Sequence, residues 1–147
     1  AFDARFAALL AGLAIDKCSG YVTALSGGPV STALALLTQR YADAAGKHHH
    51  AVIVDHGLRD GSGNEAERVQ TRVRRFAIAS DIIQITGPRP IAGLQEWART
   101  TRHQVLLSAA RQNKAALLFA HHASDQAETV AMRLLKSSGF TGLGGIA

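Results

Sequence analysis

The segment Ser-Gly-Gly-Pro-Val-Ser-Thr at residues 26–32 has the clearest capacity for chemistry in this sequence. It follows a short apolar run and precedes a helical pattern, so it joins a predicted strand to a predicted helix. Glycines allow backbone N–H groups to approach an anion closely, and the N-terminus of a helix adds partial positive charge. Pro29 suits the first turn of that helix. The segment therefore predicts a phosphate-binding loop, with a tight turn that needs small residues as the alternative.

This loop differs from two common phosphate-binding loops. A P-loop ends in Gly-Lys followed by Ser or Thr, and the dinucleotide pattern is Gly-x-Gly-x-x-Gly. Residues 26–32 match neither. Backbone N–H groups and the hydroxyls of Ser26, Ser31 and Thr32 are the expected donors to phosphate. The predicted nucleotide-binding residues are Ser26, Gly27, Gly28, Pro29, Val30 and Ser31.

Two further polar clusters also follow apolar runs. Val-Asp-His-Gly-Leu-Arg at residues 54–59 contains Asp55, for which a simple loop cap is the alternative role. His-His-Ala-Ser-Asp-Gln-Ala-Glu-Thr at residues 121–129 has side chains that ligate metals, but its spacing favours helix capping. Ligands of open α/β sheets bind at the carboxyl ends of strands. Three polar clusters after three predicted strands therefore indicate one shared crevice.

Four short runs predict the strands that position these clusters. They lie at residues 21–25, 51–54, 81–85 and 115–120. Three of them are apolar on both faces, as a parallel sheet covered by helices on each side requires, whereas the run at 81–85 is weaker.

Helical patterns alternate with these strands. They begin at Val30, at a capping-box pattern of Ser62 and Glu65, at Leu94, and at Asp125, from which the last runs to about Lys136. The alternation predicts an α/β fold with a doubly wound, Rossmann-like, mainly parallel sheet and helices on both faces. Residues 1–147 are expected to form a single domain.

Composition and charge narrow the class of protein. The net charge is +5, and ten basic residues lie between Arg59 and Lys114 against five acidic ones, which makes nucleic acid a candidate partner. The single Cys18 fits a reducing cytoplasmic compartment, and no apolar run is long enough to cross a membrane. The run at residues 48–50, three histidines without acidic or Cys neighbours, favours a solvated turn over a metal cluster.

Four motifs, in order along the chain, resemble the N-terminal domain of tRNA(Ile)-lysidine synthetases. They are Ser-Gly-Gly-x-x-Ser at residues 26–31, Val-Asp-His-Gly-Leu-Arg at 54–59, Gly-Leu-Gln-Glu-x-Ala-Arg at 93–99 and His-His-x-x-Asp-Gln-Ala-Glu-Thr at 121–129. The first alone is typical of the wider superfamily of PP-loop ATP pyrophosphatases, while the second and fourth together are much more selective. The resemblance implies a sheet of the adenine nucleotide alpha hydrolase type.

The resemblance also implies a reaction. ATP would adenylate the C2 oxygen of the wobble cytidine in an isoleucine tRNA with a CAU anticodon, and free L-lysine would displace AMP to form lysidine. Protein groups would position the reactants and neutralise phosphate charge, usually with Mg²⁺. The C-terminal tRNA-binding domains of such enzymes are expected to lie outside these 147 residues. The catalytic residues that the resemblance implies are Asp55, His56, Arg99, His122, Asp125 and Glu128.

Two positions depart from the family pattern. Val30 stands where the loop normally has Asp, and Ser124 stands where the first of two consecutive acids is expected. Neither supplies the carboxylate oxygen that Mg²⁺ prefers, so retained ATP binding with weakened Mg²⁺ binding and turnover is predicted. The alternatives are a catalytically silent nucleotide- or RNA-binding module and another PP-loop activity, such as tRNA thiolation or amide formation. Thiolating relatives usually need Cys pairs, and Cys18 is the only cysteine.

Overall fold

Strands and helices alternate along residues 20–122, as the sequence pattern predicts. The computed structural model describes residues 2–13, 15, 17–122 and 130–135, with side chains over 3–13, 15 and 17–120. The strands are β1 (Gly20–Ala24), β2 (His48–Asp55), β3 (Ala79–Gln84), β4 (Ala115–His122) and β5 (Val130–Leu135). The helices are α1 (Phe2–Ala11), α2 (Pro29–Ala45), α3 (Ser62–Arg74) and α4 (Leu94–Gln112).

The sheet has the order β3-β2-β1-β4-β5, and β1 to β4 are parallel. The chain moves outward from β1 to β3 and then crosses back to β4, so the direction of winding reverses between β1 and β4. This reversal confirms the predicted doubly wound class. It also defines a switch point at the carboxyl ends of the two central strands, where such sheets bind ligands.

Helices cover both faces of the sheet, which explains why β1 is buried along its whole length. Tyr21 packs in one layer with Leu10 of α1 and Leu34 of α2. Its neighbour Val22 packs in the opposite layer with Leu106 of α4. Alternate residues of a strand point to opposite faces, so a short apolar run is the expected pattern for a strand between two helical layers.

Two further observations concern elements at the margins of the fold. β3 lies at one edge of the sheet and is only partly buried, which accounts for its weaker apolar pattern. α1 has no counterpart among the predicted helices, although Phe6 and Leu10 are almost fully buried. Among the helices that the structure describes, none combines the length and apolarity needed to cross a bilayer.

The prediction of a helix from Asp125 to about Lys136 is wrong over residues 130–135. These residues form β5, which pairs antiparallel with β4 from Leu117↔Leu135 to His122↔Val130. Val-Ala-Met-Arg-Leu-Leu is a short apolar run, for which periodicity does not separate a strand from a helix. The edge of β4 offers unpaired backbone groups that a strand satisfies. The rest of the predicted helix lies outside the described residues.

The prediction of a solvated turn at residues 48–50 is also wrong, because these histidines begin β2. His49 is buried and joins three elements through hydrogen bonds. Its Nδ1–H donates to Gln39 Oε1 of α2 at 2.9 Å, and its Nε2 accepts from the Thr23 hydroxyl of β1 at 2.8 Å. Both ring nitrogens are therefore satisfied in the neutral form, a requirement for a buried polar group.

This neutral histidine makes the stability of the fold depend on pH. Burial, and next the neighbouring His50, lower the pKa of His49 from 6.5 to about 4. The unfolded chain therefore binds a proton that the folded chain does not, so the stabilisation present above pH 6.5 is lost as the pH falls towards 4. We expect the free energy of unfolding to fall by up to about 3 kcal/mol across this interval. Urea denaturation at several pH values measures it.

The matched variants are His49→Gln and His48→Gln, since His48 is exposed at the start of the same strand. His49→Gln should flatten the pH dependence between 6.5 and 4, and His48→Gln should keep most of it, because His48 is the smallest cause of the lowered pKa of His49. The same slope in all three proteins would contradict the role of His49.

Candidate nucleotide-binding site

The loop after β1 has the backbone geometry of an anion site. Gly27 has a φ of +94°, which side-chain-bearing residues rarely adopt, and Gly28 is the N-cap of α2 with φ −72° and ψ 166°. α2 begins at Pro29, as predicted. The first N–H groups of a helix have no acceptor within the helix. Those of Val30 and Ser31 are consequently available to a ligand at the positive end of the helix dipole.

The hydroxyls of the loop hold the loop itself. The Ser26 and Ser31 Oγ atoms lie 2.9 Å apart, and Ser31 Oγ accepts the Ser26 backbone N–H at 3.1 Å. Thr32 donates its hydroxyl to the Gly28 carbonyl at 2.8 Å. In this structure these hydroxyls support the loop, and their donation to phosphate stays a prediction.

Helix α3 packs directly on this loop. A Cβ atom added to Gly27 would lie 2.6 Å from Val69 Cγ2, closer than real side chains approach. Arg72 Nη1 donates a long hydrogen bond of 3.4 Å to the Gly27 carbonyl. Position 27 thus requires glycine for two reasons: its backbone conformation is unfavourable for residues with a side chain, and Val69 leaves no space for a Cβ atom. Sequence reasoning did not identify Val69 or Arg72, because neither belongs to a recognised motif.

The loop after β2 is fixed by Asp55, which is 8% exposed. Asp55 Oδ1 accepts the backbone N–H of Gly57 at 2.9 Å, the side-chain-to-backbone bond of a tight turn. Gly57 has a φ of +63°. This bond supports the loop-cap role that was the alternative for Asp55, and it also sets the direction of the carboxylate at the carboxyl end of β2.

His56 and Arg89 hold the same loop from the other side. His56 donates its Nε2–H to the carbonyl of Ala98 in α4 at 2.8 Å, and its ring meets Trp97 edge-on at 6.3 Å. Arg89 Nη2 donates to the Gly57 carbonyl at 2.6 Å and more weakly to the His56 carbonyl at 3.4 Å. The Gly57 peptide is therefore anchored through both its N–H and its carbonyl. Arg89 lies outside every predicted site.

These two loops enclose a cavity of about 260 Å³ at the carboxyl ends of β1 and β2. Ser26, Asp55, His56 and Arg59 line it, so three of the predicted site residues share one space.

α3 supplies Glu65, which accepts from Arg59 Nη2 at 2.9 Å and makes no capping box with Ser62. The N-cap of α3 is Gly61, so the predicted capping box is wrong. Glu65 is drawn to the nearby guanidinium instead.

The remaining predicted site residues follow later in the chain. Arg99 is exposed and is not among the residues that line the cavity. Arg102, three residues further, is half-buried, and burial lowers the pKa of its guanidinium. His122 belongs to β4, but its side chain lies outside the described part, as do Ser124, Asp125 and Glu128.

The described residues do not fit a metal ion held by the protein. They contain no group of three His, Cys, Asp or Glu side chains that could ligate one. Val30 is half-buried in the first turn of α2 and offers no oxygen ligand. The carboxylate of Asp55 already accepts the Gly57 N–H. The weakened Mg²⁺ binding expected from the sequence stays a prediction, because Ser124, Asp125 and Glu128 lie outside the described residues.

Arg89→Met is expected to raise the Kd for a nucleotide that binds in this cavity by about three- to tenfold, because one carbonyl of its wall loses a charged donor worth about 1 kcal/mol. Calorimetric titration with ATP measures the change. Arg89→Lys should recover part of the affinity by donating to one carbonyl. Arg5→Met, at an exposed site on α1, is the matched control, and an equal loss in that variant would contradict the assignment.

Known proteins resemble this chain in sequence and in fold. The PP-loop domain family matches residues 2–147. The tRNA(Ile)-lysidine synthases of Methylobacterium nodulans and Hyphomonas neptunium are 48% and 40% identical over 86% and 99% of this chain, which is 37% and 38% of those proteins. The U34-tRNA thiolase NcsA from Methanococcus maripaludis has a similar fold, with a TM-score of 0.60 and 17% identity over 68% of this chain and 37% of that one. The chain thus spans less than two-fifths of these relatives.

Proposed function

Because this chain belongs to the PP-loop domain family, we propose that it is the nucleotide-binding part of a tRNA(Ile)-lysidine synthase. In the proposed reaction, the C2 oxygen of the wobble cytidine in a CAU anticodon attacks the α-phosphorus of ATP, and pyrophosphate leaves. The amine of free L-lysine then attacks C2, AMP leaves and a proton is released. The loop at residues 26–31, at the carboxyl end of β1, is the observation that carries the proposal.

The phosphates of ATP would lie over the N-terminus of α2. The N–H groups of Val30 and Ser31 would donate to them, and the Ser26–Ser31 hydroxyl pair would hold the loop rigid. Such preorganised donors stabilise charge that grows on the leaving pyrophosphate, without the reorganisation that water would require. The chain thereby contributes mainly positioning and electrostatic stabilisation.

The adenosine half of ATP would enter the cavity between the loops after β1 and β2. Its volume of about 260 Å³ is near the lower limit of about 300 Å³ for small-molecule sites, which suits part of a nucleotide. Asp55 and the Gly57 peptide are fixed in its wall. His56 would act by tying this wall to α4, since its Nε2–H is engaged with Ala98.

The proposed catalytic residues Arg99, His122, Asp125 and Glu128 follow from the resemblance. Arg99 is an exposed cation on the first half of α4, suited to an anionic substrate. The proposed Mg²⁺ would neutralise phosphate charge, as the resemblance implies, while the backbone N–H groups of Val30 and Ser31 position the phosphates.

A second candidate function is a nucleotide- or RNA-binding module without turnover. The half-buried Val30 at the start of α2 favours it, because a valine in the phosphate loop preserves the backbone and removes a carboxylate. Both candidates require ATP binding, and only the first requires bond cleavage.

ATP–pyrophosphate exchange by the full-length protein with tRNA(Ile), beside calorimetric titration with ATP, separates the two. Exchange that depends on the tRNA supports the synthase. ATP binding without exchange supports the silent module. The absence of any ATP affinity would contradict both proposals.

A further inference from the structure

The outer surface of α3 carries positive charge that the nucleotide cavity does not use. Arg68, Arg72 and Arg75 follow at intervals of four and three residues, which places them on one face of a helix. Arg75 is the C-cap and keeps helical dihedral angles. All three are exposed, and none forms an ion pair with a side chain in the described ranges. We call these three residues the α3 stripe.

The acidic residues of α3 do not neutralise this stripe. Glu65 lies seven residues before Arg72 on the same face, but Arg59 engages it at 2.9 Å. Glu67 lies seven residues before Arg74, so these two share another flank of the helix. The stripe therefore presents three positive charges to solvent on one surface of a chain whose net charge is +5.

The stripe is continuous with the loop at residues 26–31. Arg72 reaches the Gly27 carbonyl at 3.4 Å, so the edge of the stripe borders the proposed phosphate site. At the end of α3, four residues after Arg72, Phe76 is 52% exposed. A half-exposed aromatic ring directly after Arg75 in the chain and three exposed guanidinium groups are two features of surfaces that bind single-stranded nucleic acid.

We propose that the α3 stripe binds the backbone of an RNA strand on its way to the nucleotide site, with Phe76 stacking on one of its bases. The proposal rests on the proposed function for the identity of the RNA. Guanidinium groups donate two hydrogen bonds to one phosphate in a fixed geometry. Protein interfaces place a broad apolar surface at their centre, whereas the stripe consists of three arginines, and Phe76 is the one exposed large apolar residue within the described residues 62–76.

The test uses the full-length protein and tRNA(Ile), with anisotropy titrations at several salt concentrations. Arg68→Gln with Arg75→Gln removes two charges that make no contact with the loop at residues 26–31. We expect the Kd for tRNA to rise roughly tenfold near physiological salt, and the slope of log Kd against log salt to fall by about 1.4. Phe76→Leu, which keeps an apolar side chain, should weaken binding roughly fivefold or more with the salt slope unchanged.

The matched control is Arg5→Gln with Lys17→Gln, which removes the same charge from two exposed positions elsewhere. An equal loss of tRNA affinity in both double variants would overturn the proposal, since only net charge would then matter. Full affinity in the α3 double variant would overturn it as well. Calorimetric titration with ATP and the exchange assay test the proposed function separately from the stripe. If the unmodified protein binds ATP and exchanges pyrophosphate while the α3 variants keep their tRNA affinity, only the proposal for the stripe is refuted.

Discussion

Gly27→Ala is expected to lower the free energy of unfolding by about 2–4 kcal/mol and to raise the Kd for ATP by at least about tenfold. Two independent features of the structure produce this result. The φ of +94° at Gly27 is strained for any residue with a Cβ atom. The added Cβ would also lie 2.6 Å from Val69 Cγ2, so either α3 or the loop must move. Chemical denaturation and calorimetric titration with ATP measure the two losses.

Two further variants separate the strain from the collision. Gly27→Ala combined with Val69→Ala relieves the collision, so it should recover part of the loop geometry while the strain at φ remains. Gly46 also has a positive φ, of +67°, but a Cβ atom added there would meet no atom within 4 Å. Gly46→Ala should therefore lose about 1 kcal/mol of stability and keep its ATP affinity. ATP binding by Gly27→Ala that equals the unmodified protein would contradict the assignment of the loop as the phosphate site.

Val30→Asp is expected to raise the rate of ATP–pyrophosphate exchange in the presence of Mg²⁺ by on the order of 100-fold, since a metal clamp on phosphate contributes several kcal/mol. Val30 is half-buried in the first turn of α2, where a carboxylate also interacts favourably with the helix dipole. Exchange assays on the full-length protein over a Mg²⁺ titration test the expectation. Adding Ser124→Asp should increase the effect, as the resemblance places a second acid there.

The matched control is Val30→Asn, which has the size of the aspartate and an oxygen but carries no charge. It should bind ATP as the unmodified protein does and gain little exchange activity. A gain of the same size in both variants would show that polarity, and not a carboxylate ligand, limits the reaction. No gain from Val30→Asp would contradict the prediction that the missing acid weakens turnover.

Much of the fold follows from local patterns along the chain. The runs at 21–25 and 115–120 are apolar on both faces, and the structure buries both between helical layers. Pro29 and the glycines before it predict the start of α2 within one residue. Residues 130–135 are different: the apolar run there suits a helix or a strand equally, and pairing with the edge of β4 decides between them.

The sequence by itself determined the alternation of elements between residues 20 and 122, the parallel sheet and the glycine-rich loop, because each depends on residue types at short spacing. Only the tertiary structure revealed that Val69 and Arg72 of α3 pack against Gly27, and that Arg89 donates a hydrogen bond to the Gly57 carbonyl. It also showed that His49, which was expected at the surface, is buried and neutral. These contacts join residues far apart in the chain, and no local spacing encodes which distant side chain completes a loop. Packing decides that, since it must satisfy every buried polar group and fill every space at once.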